Sequence, residues 1–205
     1  MEQFCYLGDM IGAGGGAEES SESSRARTRC EWATFGGLAP ILASRGASLA
    51  VKGKIYKACV QRVLVYGSET WPIKGEVMQR LARTEKMMVR WMCGVTLKNR
   101  ISSAELYCRL DVEVVSDVVW RGRLRWFGHV ERKSHDDGVS VCRDLEVEGV
   151  KRKGRSRKSW EECVRNDLTS LGLKRDWALD RVRWRGCICG YHPTCASMDK
   201  RDVKR

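Results

Sequence analysis

The chain has 205 residues, and 38 Lys or Arg against 26 Asp or Glu give it a formal charge of +12. That length suffices for one domain or two small ones, and an apolar fraction of 42% sets it apart from a disordered chain. No apolar run reaches the ~20 residues of a membrane helix, since the stretch from Leu38 to Val51 is broken by Arg45 and Gly46, and the N-terminus lacks the basic and apolar regions of a secretory signal.

Eight Trp and only three Pro point to a packed, mainly α protein. The expected architecture is an irregular helical bundle with a short N-terminal strand and basic loops. Phe4-Cys5-Tyr6-Leu7-Gly8 reads as a strand followed by a Gly-rich turn at Gly12 to Gly16. A lone strand cannot satisfy its backbone, and no partner stands out, so the segment reads as part of a larger unit. From about Ser20 the period is helical, with Ala26, Cys30, Ala33 and Gly37 three or four apart, and Pro40 ends or kinks this helix. Ser48 is placed as an N-cap before a stripe of Val51, Ile55, Cys59 and Val63, which stops at Gly67 and Pro72.

A helix is expected over 75–92, with Val77, Leu81, Met88 and Trp91 on its inner face. Ser102 and Glu105 have capping-box spacing at the start of a short helix. The next helix begins near Val115, with Val119, Trp126 and Val130 inward and Gly122 allowing close approach. Residues 133–149 read as loop or short extended pieces. Ser159 and Glu162 form a second box before Trp160, Val164, Leu168 and Leu171, and Gly172 stops that helix. Asp176 is placed as the cap of a last helix carrying Trp177, Trp184 and Ile188. No internal repeat occurs. The expected divisions are 1–17, a strand-bearing remnant; 18–95, a helical region; 96–188, a basic helical region; and 189–205, a disordered tail.

Charge is uneven along the chain. Residues 1–50 carry 4 basic and 6 acidic side chains, residues 51–150 carry 18 and 13, and residues 151–205 carry 16 and 7. The strongest local signal is Lys151, Arg152, Lys153, Arg155, Arg157 and Lys158, with Gly154 and Ser156 between them. The run ends where a helix begins, so free N–H groups and the positive helix end favour phosphate there. A solvated linker or a localisation signal has the same composition. Arg121, Arg125 and Arg132 fall within about 40° of one another on a helix and form a second basic row. Such a row suits a sugar–phosphate backbone, or equally a solvated helix face.

Other constellations carry less. Trp91, Trp126, Trp160 and Trp184 have helical spacing and read as core anchors rather than stacking platforms. Of ten cysteines, Cys5, Cys30, Cys59, Cys93, Cys108, Cys142 and Cys163 are dispersed and read as buried thiols of a reducing compartment. Cys187, Cys189, His192 and Cys195 have zinc-ligand chemistry but match no common zinc spacing, so they stand as a weak metal candidate. His129 lies in an apolar helical run and reads as structural. His135-Asp136-Asp137 reads as a solvated loop. No catalytic constellation stands out.

Several segments together resemble the C-terminal region of non-LTR (LINE-type) retrotransposon polyproteins, downstream of the reverse transcriptase palm. Phe4-Cys5-Tyr6-Leu7-Gly8 resembles the strand that closes the palm. Lys54-Ile55-Tyr56-Lys57 and Val65-Tyr66-Gly67-Ser68-Glu69-Thr70-Trp71 resemble the best-marked motif of the next helical region. Arg123-Leu124-Arg125-Trp126-Phe127-Gly128-His129-Val130, Lys153-Gly154-Arg155-Ser156-Arg157-Lys158-Ser159-Trp160, and Asp180-Arg181 with Trp184-Arg185 resemble three later motifs in the same order. Arg62 stands where a Pro often occurs, and Ser156-Arg157 where an Arg-Pro pair is common. The Cys187 to Cys195 cluster is not part of the motif.

The resemblance implies the thumb and post-thumb part of an RNA-directed DNA polymerase. Its catalytic carboxylates and Mg²⁺ would belong to a palm whose aromatic-x-Asp-Asp hairpin has no counterpart in these residues. No cofactor is expected in this chain, which would be inactive alone. The expected partner is RNA, DNA or both, with no membrane and no small-molecule substrate. The expected location is intracellular, in the nucleus, the cytoplasm or both. The alternatives are a stand-alone or domesticated nucleic-acid-binding or interaction protein, and a non-functional retroelement remnant.

Overall fold

The opening strand finds its partner in the residues that follow it directly. In the computed structural model, β1 (Gln3–Tyr6) pairs antiparallel with β2 (Asp9–Gly12), with Phe4 opposite Ile11 and Cys5 opposite Met10. The expectation of a partnerless strand is therefore corrected. The structure describes residues 3–6, 9–12, 17–145 and 158–189, with side chains from Arg25 onward apart from Asp144. The remaining described residues are mainly helical, as expected, and none of these helices is long and apolar enough to cross a membrane. They divide into two units. One holds the described residues up to Gly67 together with Ile73–Val119; the other holds Ser68–Pro72 and the described residues from Trp120.

The first unit is built on α1 (Ala17–Gly37), which ends before Pro40. That proline sits in the first turn of the short α2 (Ala39–Leu42), where its missing N–H leaves no bond unmade. α3 (Leu49–Ile55) starts at Ser48, whose Oγ accepts from the Val51 N–H at 3.4 Å, as the N-cap assignment required. It continues through a π-helical turn, Tyr56–Val60, into α4 (Gln61–Leu64). α5 (Gly75–Met92) covers the expected span. α6 (Ser103–Leu110) is capped by Ser102, whose Oγ accepts from the Glu105 N–H at 3.2 Å. α7 (Val115–Glu131) begins in this unit and ends in the other.

Phe35, Leu42, Tyr56, Val60, Met88, Val89, Met92, Leu106, Tyr107 and Leu110 form the core of this unit. Two expected stripes are out of phase with it. In α1 the buried positions are Arg27, Glu31 and Phe35, while Cys30, Ala33 and Gly37 are exposed and Ala26 is half-buried. In α3 and its continuation they are Lys52, Gly53, Tyr56, Val60, Gln61 and Leu64, while Val51 and Cys59 are exposed. Each expected position lies one residue before the buried one, from Val51 against Lys52 to Val63 against Leu64, because the buried face admits Lys52 and Gln61. Gly53 is required by contact: a Cβ there would run into the Leu110 carbonyl.

Polar groups occupy the middle of this core. Glu85 Oε1 accepts from Gln61 Nε2 at 2.9 Å. Its Oε2 accepts from the Tyr107 hydroxyl at 3.0 Å and from the Val115 N–H at 2.7 Å. Gln61 Nε2 also donates to the Glu113 carbonyl at 2.7 Å. Glu31, fully buried, accepts from the Tyr56 hydroxyl at 3.5 Å through Oε1, and its Oε2 has no hydrogen-bond partner among the described residues. Lys52 Nζ donates to the Met92 carbonyl at 3.1 Å, neutralising the C-terminal end of α5.

The second unit contains the remainder of α7, α8 (Gly138–Asp144), α9 (Trp160–Leu171) and α10 (Arg181–Cys189). Its core is Leu124, Phe127, Val164, Ala178, Trp184 and Ile188. Ser159 Oγ accepts from the Glu162 N–H at 3.1 Å, and Gly172 ends α9 at φ 63°, both as expected. Two expectations are corrected. The segment read as loop contains α8, because Asp137 Oδ1 caps it by accepting from the Val139 N–H at 3.0 Å. The cap of α10 is Asp180, whose Oδ1 accepts from the Val182 and Arg183 N–H groups at 2.9 and 3.1 Å, whereas Asp176 lies within a 3₁₀ turn.

The cysteine reading is also corrected. Among the described residues of that set, Cys163 alone is buried; Cys93 is half-buried, and Cys30, Cys59, Cys108 and Cys142 are exposed. Cys5 lies outside the residues whose side chains are described. Of the tryptophans read as core anchors, Trp184 is buried, Trp126 and Trp160 are half-buried, and Trp91 is exposed.

Burial raises the Glu31 carboxyl from 4.5 to about 8, helped by the negative charge of Glu85. Glu85 rises from 4.5 to about 7 for the same first reason, against its three hydrogen bonds. The folded state thus holds protons that the unfolded chain releases near 4.5. The stability these carboxyls contribute is complete below that pH and is lost as pH rises through about 7 to 8. Glu31→Gln keeps a neutral group at one of these positions. Urea denaturation at a series of pH values should show the variant gaining stability over the wild type above about pH 6 and matching it near pH 4. Parallel pH profiles would contradict this account.

Candidate nucleic-acid interface

The second unit is held together by groups that determine which arginines remain available. Arg123, expected off the basic face, is buried and binds Asp167 across α7 and α9 at 2.7 Å. Burial raises the Asp167 carboxyl, and the Arg123 guanidinium acts in the opposite direction. Glu131 receives Arg143 at 2.9 Å and Arg175 at 2.8 Å, while Arg175 also reaches Glu161 at 2.7 Å. The paired carboxylates hold the Arg175 guanidinium more firmly charged, and its cation lies 5.3 Å from the Phe127 ring centre. These acidic groups are therefore occupied by cations that stabilise the unit.

A groove of about 510 Å³ runs along the last turns of α7 and along α10. It is lined by Arg125, His129, Arg132, Arg181 and Arg185, with Trp184 and Ile188 beneath them. Positions 125 and 129 are one turn apart on α7, Arg132 follows in the turn just after its end, and 181 and 185 are one turn apart on α10. None of the lining residues is acidic. Arg125, Arg181 and Arg185 are exposed and make no ion pair with any described residue. Arg132 donates to the Ala178 carbonyl, which anchors its guanidinium at the groove wall. His129 is exposed, with its ring 5.3 Å from that of Trp126, rather than buried in a structural role.

The floor depends on a close approach at a glycine other than the one expected. Trp184 Nε1 donates to the Leu124 carbonyl at 2.9 Å, and its indole passes over Gly128, where a Cβ would meet Nε1 and Cδ1. Gly122 has nothing within 4 Å. Trp160 lies against Phe127 and donates from Nε1 to the Glu69 carbonyl at 2.7 Å.

Two of the three residues in the expected arginine row, Arg125 and Arg132, line the groove. Arg121 is half-buried, with its guanidinium 5.6 Å from the Trp120 ring centre. Lys158 is half-buried, and its charge acts on Asp167. Lys151, Arg152, Lys153, Arg155 and Arg157 lie outside the described residues. Cys187 is half-buried and Cys189 exposed at the end of α10, while His192 and Cys195 lie outside the described residues. No group of three or more His, Cys, Asp or Glu among the described residues could hold a metal ion. Arg181 and Arg185 were not among the charge-based candidates. Their spacing of four was the available signal, obscured by Arg183, which stacks on Trp177 at 4.3 Å.

The chain is similar to an uncharacterized transposon-derived protein of Caenorhabditis elegans, at 25% identity over 207 aligned positions that cover 92% of this chain and 70% of the relative. This similarity gives the chain a transposon-related origin. No protein-family profile and no solved structure matches it.

Gly128→Ala should displace the Trp184 indole and break its bond to Leu124, costing at least about 2 to 3 kcal/mol of stability. Gly122→Ala should leave stability unchanged or raise it by about 0.5 to 1 kcal/mol through helix propensity. Thermal melts of both variants test the contrast, and equal melting temperatures would contradict the packing described.

Proposed function

We propose that this chain is the thumb and post-thumb part of a non-LTR retrotransposon reverse transcriptase, and that its second unit binds the backbone of RNA or DNA in the arginine groove. The observation that carries the binding reading is the lining of the groove: four guanidinium groups and one imidazole, with no carboxylate among the lining residues. Guanidinium groups present planar forks of donors that match phosphate oxygens, and in a concave site their fields add. An apolar floor beneath them suits a sugar edge or a base face better than a free anion.

The retroelement reading has separate support. Arg125, His129, Arg181, Trp184 and Arg185 all lie on segments that resemble the family's later motifs, and the relative's transposon origin agrees with that lineage. The run from Lys151 to Lys158 would add a second set of phosphate contacts in the same unit. The Mg²⁺ of the full polymerase would be held by palm residues outside this chain, so the role proposed here is to hold template and primer.

The test is a salt titration of RNA and DNA binding by the full chain and by the combined Arg125→Ala, Arg181→Ala and Arg185→Ala variant. Three lost phosphate contacts should lower the slope of log affinity against log salt by about 2 to 3. Unchanged affinity and slope would remove the groove from the interface. Replacing the six cations between Lys151 and Lys158 with Ala should lower the slope further.

A further inference from the structure

We propose that the first unit carries a separate contact for nucleic acid, a platform on which unpaired bases stack, formed by Trp32 of α1 and Trp91 of α5. Phe35, itself buried, sits against both indoles. Its ring centre lies 5.8 Å from Trp32 in an edge-on arrangement and 5.1 Å from Trp91 in a tilted one. Yet Trp32 is 38% exposed and Trp91 50% exposed, and Met87, one turn before Trp91, is 60% exposed. Two indoles fixed by one buried ring and left partly in water form a rigid apolar surface.

The charges around the indoles favour a polyanion. On α5, Arg83 and Lys86 are exposed and Arg90 is half-buried, and all three fall on the side of the helix that carries Met87 and Trp91. On α1, Arg29 is exposed one turn before Trp32. None of these four cations pairs with a described residue. The acidic residues of the same stretches, Glu31 and Glu85, are fully buried. The exposed faces of these two helix segments therefore combine half-exposed indoles with uncompensated positive charge.

Single-stranded nucleic acid matches both features, because it supplies phosphates to the cations and base faces to the indoles. A second copy of this chain fits less well, since a symmetric contact would bring Arg29, Arg83, Lys86 and Arg90 towards their own counterparts. The inference takes from the proposed function only that the partner is a nucleic acid. The residues involved are distinct from those of the groove, so each site can fail alone.

The test is a fluorescence-anisotropy titration of the full chain with an oligothymidylate strand and with an abasic strand of equal length. Trp91→Ala should weaken oligothymidylate binding at least about fivefold, leaving abasic-strand binding and the salt slope unchanged. Trp91→Phe should retain most of the affinity, and Trp32→Ala should repeat the loss independently. The combined Arg83→Ala and Lys86→Ala variant should weaken both strands and lower the salt slope. Equal oligothymidylate affinity in Trp91→Ala, Trp32→Ala and wild type would overturn the proposal. So would equal weakening of both strands by the tryptophan variants, or a change of mass in light scattering with oligothymidylate binding intact. Loss of binding in the groove variant alone would retain the groove and remove the platform, and loss in the tryptophan variants alone would do the reverse.

Discussion

In the first unit, the Glu85 carboxylate accepts hydrogen bonds from α4, α6 and the start of α7, at Gln61, Tyr107 and Val115 respectively. Each donor is polar and deep in the core, and each would carry a desolvation cost if left unmade. One acceptor at the centre of α5 thereby specifies how the neighbouring elements align. Leu81 and Met88 flank it on the same helix and are themselves fully buried, so apolar packing surrounds the polar centre. The arrangement opposes two effects. Three donors favour the ionised carboxylate, whereas burial favours the neutral form, and burial prevails. Specificity of alignment is thus obtained at some cost in stability.

The second unit relies on a different device. A single large indole, Trp184, closes the core and depends on the absence of a side chain at Gly128. Arg123 with Asp167 and Arg175 with Glu131 and Glu161 then connect its helices. The Arg123 pair is the more consequential of these, because breaking it would leave a buried charge without its counterion. The Arg175 pairs gain strength mainly from belonging to a network, in which one guanidinium bridges Glu131 and Glu161 and Glu131 also receives Arg143.

Features governed by local chemistry were legible in the sequence. Ser48, Ser102 and Ser159 each bind the N–H three residues on, because N-capping needs only a short polar side chain and a helix behind it. The α5 span was readable because its apolar positions repeat strongly. Trp91 was misplaced inward because hydrophobicity alone cannot distinguish a core residue from a half-exposed one. The buried faces of α1 and α3 were illegible for a related reason. They carry Arg27, Glu31, Lys52 and Gln61, residues that a hydrophobic stripe discards, and their partners come from distant parts of the chain. The hairpin and α8 were missed because each is short, so its existence depends on one pairing or one cap rather than on a period. Within the groove, Arg125 and Arg132 were found by helical spacing. Arg181 and Arg185 join them only through the packing of Trp184, which no one-dimensional pattern shows.

The formal charge of +12 does not describe how positive charge is distributed over the surface of either unit. Opposite charges cancel in a sum regardless of where they lie, whereas an approaching phosphate responds to the local field. Glu31 and Glu85 are buried and held towards neutrality, so they contribute less negative field than the count assigns them. Glu131, Glu161 and Asp167 are matched by Arg123, Arg143 and Arg175, and those pairs are nearly silent at a distance. What remains outward is enriched in cations: Arg125, Arg181 and Arg185 at the groove, and Arg29, Arg83 and Lys86 around the exposed indoles. The acidic side chains that stabilise each unit from within are therefore also the reason a cationic surplus is left at the groove and around the indoles, the surplus on which the proposed nucleic-acid contacts rest.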